Sequence, residues 1–346
     1  MANTSTSSEE QSTLDAFLDR IQVVSDELQR SSSEPRLTTN NPEFNLTSFW
    51  QTLLSYVQNL STQTLKLCIV WSKPPYPSGK ELNELITPME LTLFGVASSF
   101  YSYHRSAGLT LYKLIHGNVA ITVSNLHSFI SLTSEIPNKR PTNTLIIAYL
   151  CDSSNNSKQI AYAAEKVVEA CENLEKMQKD NVQACLHVIK SSKDLCKDAL
   201  IEAQQAIVDN GDDGSGSTWS SKDKNIAYAT VGLMKVTTAT LNKLSSTIKA
   251  SGFSSNESHN RDLDNLTLNT DQLSPRLDNL VISLYAPVTY ENVETCALDL
   301  HDCILNILQF TRASYFCKEA DMEWISFLEN ACKHNIEKVK TTVQGK

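Results

Sequence analysis

The chain has 346 residues, 41% of them hydrophobic, and carries 30 Lys plus Arg against 39 Asp plus Glu for a formal charge of −9. At ~150 residues per domain that is about two domains, long enough to bury a sizeable core. The acidic balance and the lack of a basic arm argue against a nucleic-acid backbone as partner, because duplex affinity rests on neutralising phosphates with clustered Lys and Arg. The longest apolar run, Leu145 to Cys151, is too short to span a bilayer, and the first ten residues have neither the charged nor the apolar region of a secretory signal. A protein neither secreted nor membrane-inserted is expected. Nine cysteines, an odd number with no two at CxxC spacing, read as reduced thiols; Cys68, Cys185, Cys196, Cys296 and Cys332 fall on apolar helix stripes.

Taken in chain order, the elements are all helical. A polar helix is predicted at about 10 to 30, followed by a polar connection from Ser31 to Asn41 that contains Pro35 and should be mobile. The next helix, about 45 to 72, carries Leu46, Phe49, Trp50, Leu53, Leu54, Val57 and Leu60 at helical spacing and stops at Pro74 and Pro75. Ser78 and Glu81 have capping-box spacing and open a helix to about 106, with His104 and Arg105 in its last turn before Gly108 and Pro88 expected to kink or split it. A helix at about 109 to 134 ends before Pro137 and Pro141. An apolar stretch, Leu145 to Cys151, and a polar loop, Asp152 to Ser157, lead to helices at about 158 to 178 and 180 to 209. In the second of these, Val182, Cys185, Ile189, Ser192, Cys196, Ala199, Ala203 and Ala206 step by three and four residues, as one buried face requires.

The sharpest break is Asp209 to Ser217, a glycine-acidic linker. Helices follow at about 221 to 250, 258 to 284 with an interruption at Pro275, 289 to 316, and 321 to 343; the last carries Ile325, Leu328, Cys332, Ile336, Val339 and Val343. The expected fold class is all-α, a two-lobed bundle of long amphipathic helices with no sheet. Its parts are a polar N-terminal helix and mobile connection (1–41), an N-terminal lobe (42–209), a linker (210–220) and a C-terminal lobe (221–346).

Candidate chemistry is scarce. The linker places Asp209, Asp213 and Gly214 at three positions of a calcium loop, but Gly211 and Ser220 stand where two oxygen ligands belong. It also lacks the Lys of a phosphate loop and follows a helix instead of a strand. None of the seven histidines lies three residues after a Glu, the spacing of di-metal carboxylate bundles. His301, Asp302 and Cys303 are adjacent, and consecutive helix residues point about 100 degrees apart, so they do not make a nucleophile-base pair. Cys303 should lie near the core and His301 be partly exposed. Trp50 and Trp324 read as core anchors, whereas Trp219 should be exposed or pin the linker. Neither a metal nor a cofactor is implied, and no catalytic residue is assigned.

Certain segments resemble the cyclin-D-binding protein family, also called the cyclin-D-interacting or Maid-like proteins. Leu277 to Pro287, reading Leu-Asp-Asn-Leu-Val-Ile-Ser-Leu-Tyr-Ala-Pro, is similar to that family's Asp-Asp-Leu, small-Ser, Tyr-Pro-Pro signature, with Ala286 in place of the first proline. Phe49-Trp50, Gly108 to Gly117, and Glu323-Trp324-Ile325 followed by Leu328 extend it collinearly over roughly 42 to 340. The resemblance implies an all-helical regulatory protein of cytoplasm and nucleus that binds D-type cyclins, restrains cell-cycle progression and associates with helix-loop-helix transcription factors without touching DNA. The long acidic insert of vertebrate members is reduced here to Asp209 to Ser217. A cytoskeletal or adhesion-type scaffold is the alternative, since fold does not fix function. The polar side of the last helix, at Glu329, Lys333, Glu337 and Lys340, is the candidate partner-binding face.

With no ligand set at suitable spacing, dialysis against EDTA is expected to leave the melting temperature unchanged. A fall that zinc or calcium restores would reveal a metal site assembled by the fold.

Overall fold

In the computed structural model the backbone is described for residues 2–31, 44–72, 76–138, 146–211 and 218–345, and the side chains for the same residues except 2–10, 136–138 and 146–156. Among the described residues the regular structure is helical, with no strand. The chain divides into two compact units, Met1–Lys179 and Asp180–Lys346.

The first unit contains α1 (Ala2–Arg30), α2 (Leu46–Ser72), α3 (Gly79–Tyr101), a 3-10 turn (Arg105–Ala107), α4 (Leu109–Asn138) and α5 (Ile146–Lys176). Packing closes a circuit: α1 lies on α3, α3 on α2, α2 on α5, α5 on α4, and α4 back on α1. Each helix therefore needs an apolar face wide enough for two neighbours, and α2 supplies one with Phe49, Trp50, Leu53, Val57, Leu60, Leu67 and Trp71. The start of α3 is a capping box, in which Ser78 Oγ accepts from Glu81 N–H and the Glu81 carboxylate accepts from Ser78 N–H. The Ser78 N–H and the Ser78 hydroxyl, which also donates to Glu81 Oε2 at 2.9 Å, hold the Glu81 carboxyl below its ordinary range.

Four expectations about this unit change. α1 begins at Ala2 and is part of the core, with Leu14, Phe17, Ile21, Val24 and Leu28 buried; it is not a peripheral segment ahead of a lobe starting at 42. Its C-terminal carbonyls find side-chain donors on α4, since Tyr112 Oη donates to Ser31 O at 2.7 Å and His116 Nε2 lies 2.9 Å from Leu28 O. α5 begins at Ile146, so Asp152 to Ser157 continue a helix although their composition reads as a loop. Ser and Asn cost only tenths of a kcal/mol each in a helix, and tertiary ties such as Ser157 Oγ to Ser72 O (2.6 Å) override that preference. Pro88 lies inside α3 without splitting it, and His104 and Arg105 follow that helix instead of ending it. The connection at 32–43 lies outside the described residues.

The second unit contains α6 (Asn181–Val208), α7 (Ser221–Ser251), α8 (Glu257–Thr270), α9 (Leu273–Ile282), α10 (Tyr290–Ala313) and α11 (Asp321–Gln344). Here α6 packs on α7, α7 on α11, α11 on α10, and α10 on the α8–α9 pair, which returns to α6. Pro275 sits in the first turn of α9, where a missing N–H is tolerated, and the chain breaks just before it at Asp271–Gln272. Along α6 the buried residues are Asn181, Ala184, Cys185, Ile189, Ser192, Cys196, Ala199, Ala203 and Ile207, mostly small, so the neighbours approach closely. The α7–α11 crossing is equally tight: a methyl group on Gly232 would overlap Asn335 Oδ1.

The unit boundary therefore falls at Lys179–Asp180, and α6, grouped by sequence with the first lobe, belongs to the second unit. The stretch that the composition marks as a linker begins where α6 ends, and the helices on either side of it belong to one unit. Its described ends are held in place. Asn210 and Gly211 adopt positive φ, Trp219 N–H donates to Asn210 O at 2.8 Å, and the buried Trp219 indole donates to Leu284 O at 2.9 Å. Trp219 thus pins the loop, one of the two roles its position allowed; residues 212–217 lie outside the described residues.

If α1 is core, Phe17→Ala should destabilise the protein by about 3–5 kcal/mol in denaturant unfolding, the usual cost of deleting a buried ring. A change under about 0.5 kcal/mol, typical of a surface site, would return α1 to the periphery.

Candidate functional site

The described thiols are held in their protonated form. All eight cysteines with described side chains are free, and burial raises every one of their thiols above the ordinary value. Cys171, Cys196 and Cys332 are pushed up to about 12, by burial first and then by neighbouring carboxylates. At neutral pH these are thiols, whereas attack on an electrophile needs the thiolate. His301 Nδ1 sits 2.9 Å from Asp302 Oδ1, but Cys303 turns away and its Sγ–H points to Asn269 O at 3.9 Å. Cys303 is half-buried, as expected of a residue near the core, and the His301 side chain is partly exposed, at 13%. Among the described residues no group of three or more His, Cys, Asp or Glu could hold a metal ion. In the calcium-like stretch, Asp209 caps α6 and accepts from Gln205 Nε2, while Asp213 and Gly214 lie outside the described residues.

What the fold does offer is surface. α11 is anchored at its start by Asp321, which accepts from Trp324 Nε1–H, Thr247 Oγ1–H and Lys318 N–H, each within 2.8–2.9 Å. Burial raises the Asp321 carboxyl, but these three bonds outweigh it and hold the group below its ordinary range. Trp324 is accordingly half-buried, packed on the core edge and tied to its own helix start, instead of the enclosed anchor its stripe suggested.

The four charged residues of the candidate face divide. Glu329 is partly covered and pairs with Arg312 of α10 at 2.8 Å, in a contact that also brings Ser326 Oγ within 3.4 Å of the guanidinium. Lys340 pairs with Glu337 at 3.1 Å, and Lys333 and Glu337 face solvent. Glu329 therefore ties α11 to α10 and is not open surface. The strongest feature of this side is one the stripe argument passed over: Phe327, 69% exposed, lies off the Ile325–Leu328–Cys332 line with exposed Glu323, Asn330 and His334 around it.

A second surface runs along α3. Glu84, Thr87, Leu91, Phe94 and Ser98 are all exposed and step at three and four residues, so they form one outward ridge. Leu91 is 66% and Phe94 41% exposed, and the half-exposed Tyr56 ring of α2 lies against Gly95 beside them. Packing explains none of these three side chains fully. The helical period was visible in sequence, but which face lacks a neighbour is fixed only by the circuit of helices.

Two family models, described as the N-terminal and C-terminal parts of Grap2 and cyclin-D-interacting proteins, match residues 52–209 and 208–309. The cyclin-D1-binding protein 1 homolog of Xenopus laevis is 29% identical over 316 residues, covering 87% of this chain and 91% of its own length. The homolog of Danio rerio is 29% identical over 318 residues, with 87% and 88% covered. Cyclin-D1-binding protein 1 of Homo sapiens is 23% identical over 362 residues, with 96% of each chain covered. The seam between the two family models coincides with the start of the α6–α7 loop, a full helix after the compact units divide. The α3 ridge lies inside the matched residues, and α11 lies beyond them.

Reversing charges on α11 should separate structure from surface. Lys333→Glu and Glu337→Lys are each expected to shift stability by less than about 0.5 kcal/mol, whereas Glu329→Lys, which faces a new ammonium toward Arg312, should cost about 1 kcal/mol by thermal unfolding. Equal effects at all three would show that Glu329 is as free as its neighbours.

Proposed function

The chain belongs to the Grap2 and cyclin-D-interacting family, and from that premise we propose that it is a non-enzymatic regulatory protein that binds D-type cyclins and restrains cell-cycle progression. The observation that carries the reading is the collinear match of relatives named cyclin-D1-binding protein 1 over 87–96% of the chain. The inert thiols support it, as does the lack of a metal-ligand group among the described residues. Association with helix-loop-helix factors and residence in cytoplasm and nucleus are further parts of the proposal, suited to an acidic protein with no basic arm to hold DNA itself. For the docking surface we favour the α3 ridge over the α11 face. It offers two adjacent large apolar side chains, which dominate the energetics of helix-in-groove and helix-on-helix recognition.

Purified full-length chain should retain purified D-type cyclin on a column. The double variant Leu91→Ser, Phe94→Ser is expected to weaken retention by at least about tenfold while remaining folded by circular dichroism, since Leu91 is 66% and Phe94 41% exposed and neither is a fully buried core residue. Loss of retention in Lys333→Glu, Glu337→Lys, with the ridge variant unaffected, would move docking to α11. No retention by the wild-type chain would end the cyclin reading.

A further inference from the structure

A cleft of about 300 Å³ in the second unit is lined by Glu202, Gln205, Ala206, Asp209, Gly211, Trp219 and Tyr285. Its walls come from the last turns of α6 and from the residues just past α9. Trp219 forms the floor, held by its indole bond to Leu284 O and covered on one side by Gly211, where a side chain would overlap the ring. Tyr285, 42% exposed, presents its ring to the opening and donates its hydroxyl to Glu202 Oε1, which fixes ring and carboxylate side by side. Asp209 is oriented in turn by Gln205 Nε2, 3.0 Å from each of its oxygens.

The electrostatics of the cleft have one sign. Among the described lining residues Glu202 and Asp209 are the carboxylates and none is basic, and the cleft lies at the C-terminal end of α6, where the helix dipole adds negative potential. The field reaches beyond the lining: nearby Asp278 is raised above its ordinary range, by burial first and then by the charge of Glu202. An aromatic floor and wall with two carboxylates at the rim match the recognition chemistry of a planar cation. A guanidinium stacks on an aromatic face while its edge donates to carboxylate oxygens, and its low hydration makes that exchange less costly than for an ammonium. The volume suits a single side chain more than a whole cofactor, whose sites run from about 300 to 1,000 Å³ and close around most of the ligand.

We propose that this cleft is a receptor for an arginine side chain of a protein partner. It goes beyond the cyclin reading and stands or falls without it, since the cleft is in the second unit and the ridge is in the first.

The test uses the full-length chain and two small probes, N-acetyl-arginine amide and its uncharged isostere N-acetyl-citrulline amide, titrated while the four tryptophan indole N–H resonances are followed by NMR. The Trp219 resonance should move with the arginine probe and not with citrulline, while the Trp50 and Trp71 resonances stay fixed. Glu202→Gln, an exposed and nearly isosteric change, should weaken that response by about threefold, the loss expected for one exposed ion pair. Glu202→Gln combined with Asp209→Asn should abolish it, with the other indole resonances confirming an intact fold. An unmoved Trp219 resonance, an equal response to citrulline, or an undiminished response in the double variant would each overturn the assignment.

Discussion

Burial of a stripe of small residues on α6 is the constraint from which the organisation of the second unit follows. Ala184, Cys185, Ser192, Cys196, Ala199 and Ala203 present almost no side-chain volume, so α6 can serve as a core element only if other helices come close to its backbone. α7, α8 and α9 do so and supply the bulk that α6 lacks, through Ile226, Leu233, Leu263, Leu266, Leu277 and Leu280. The first unit is filled instead by large rings, Phe17, Trp71, Phe100, Tyr112 and Phe129.

Indole N–H groups do a second kind of work, and each of the four finds an oxygen. Trp50 donates to Lys179 O at 2.8 Å, with the Lys179 ammonium 4.1 Å from its ring centroid, and burial holds that ammonium below its ordinary range. Trp71 donates to Thr133 O at 3.1 Å. The helical partner of that carbonyl would be the N–H of residue 137, which is a proline and has none, so the indole fills a place the helix cannot. Trp219 closes the end of α9, and Trp324 closes the start of α11. At Thr133 the ring thereby settles a backbone carbonyl that would otherwise lack its helical partner, worth about 1–3 kcal/mol.

Much of this was legible in the sequence. The helix stripes follow from period alone, the ends of α2, α6, α7, α10 and α11 fell within a few residues, and Ser78 with Glu81 announced a capping box that forms. What was hidden has a common cause. Ala2 opens a polar stretch, and the apolar start of α5 at Ile146 runs into the Asn- and Ser-rich segment Asp152 to Ser157, whose weak preference is overridden by ties such as Ser157 Oγ to Ser72 O. The division at Lys179 carries no glycine or proline because Asp180 caps α6 directly, its side chain accepting from Gln183 N–H at 2.8 Å, and so the turn is nearly seamless in composition. The candidate face suffered most. Charge alone made Glu329, Lys333, Glu337 and Lys340 look equivalent, and only the neighbouring α10 shows that Glu329 already has a partner.

The same distinction between covered and uncovered residues governs what this chain can do. On α3, Leu93 and Val96 point inward and are fully buried, while Leu91 and Phe94, their close neighbours in sequence, point outward. The inward pair sets stability through lost volume, and the outward pair contributes little to it because its surface is already wet. If the ridge is the docking surface proposed above, substitutions on its outward side chains would change partner binding far more than the packing of Leu93 and Val96 beneath them.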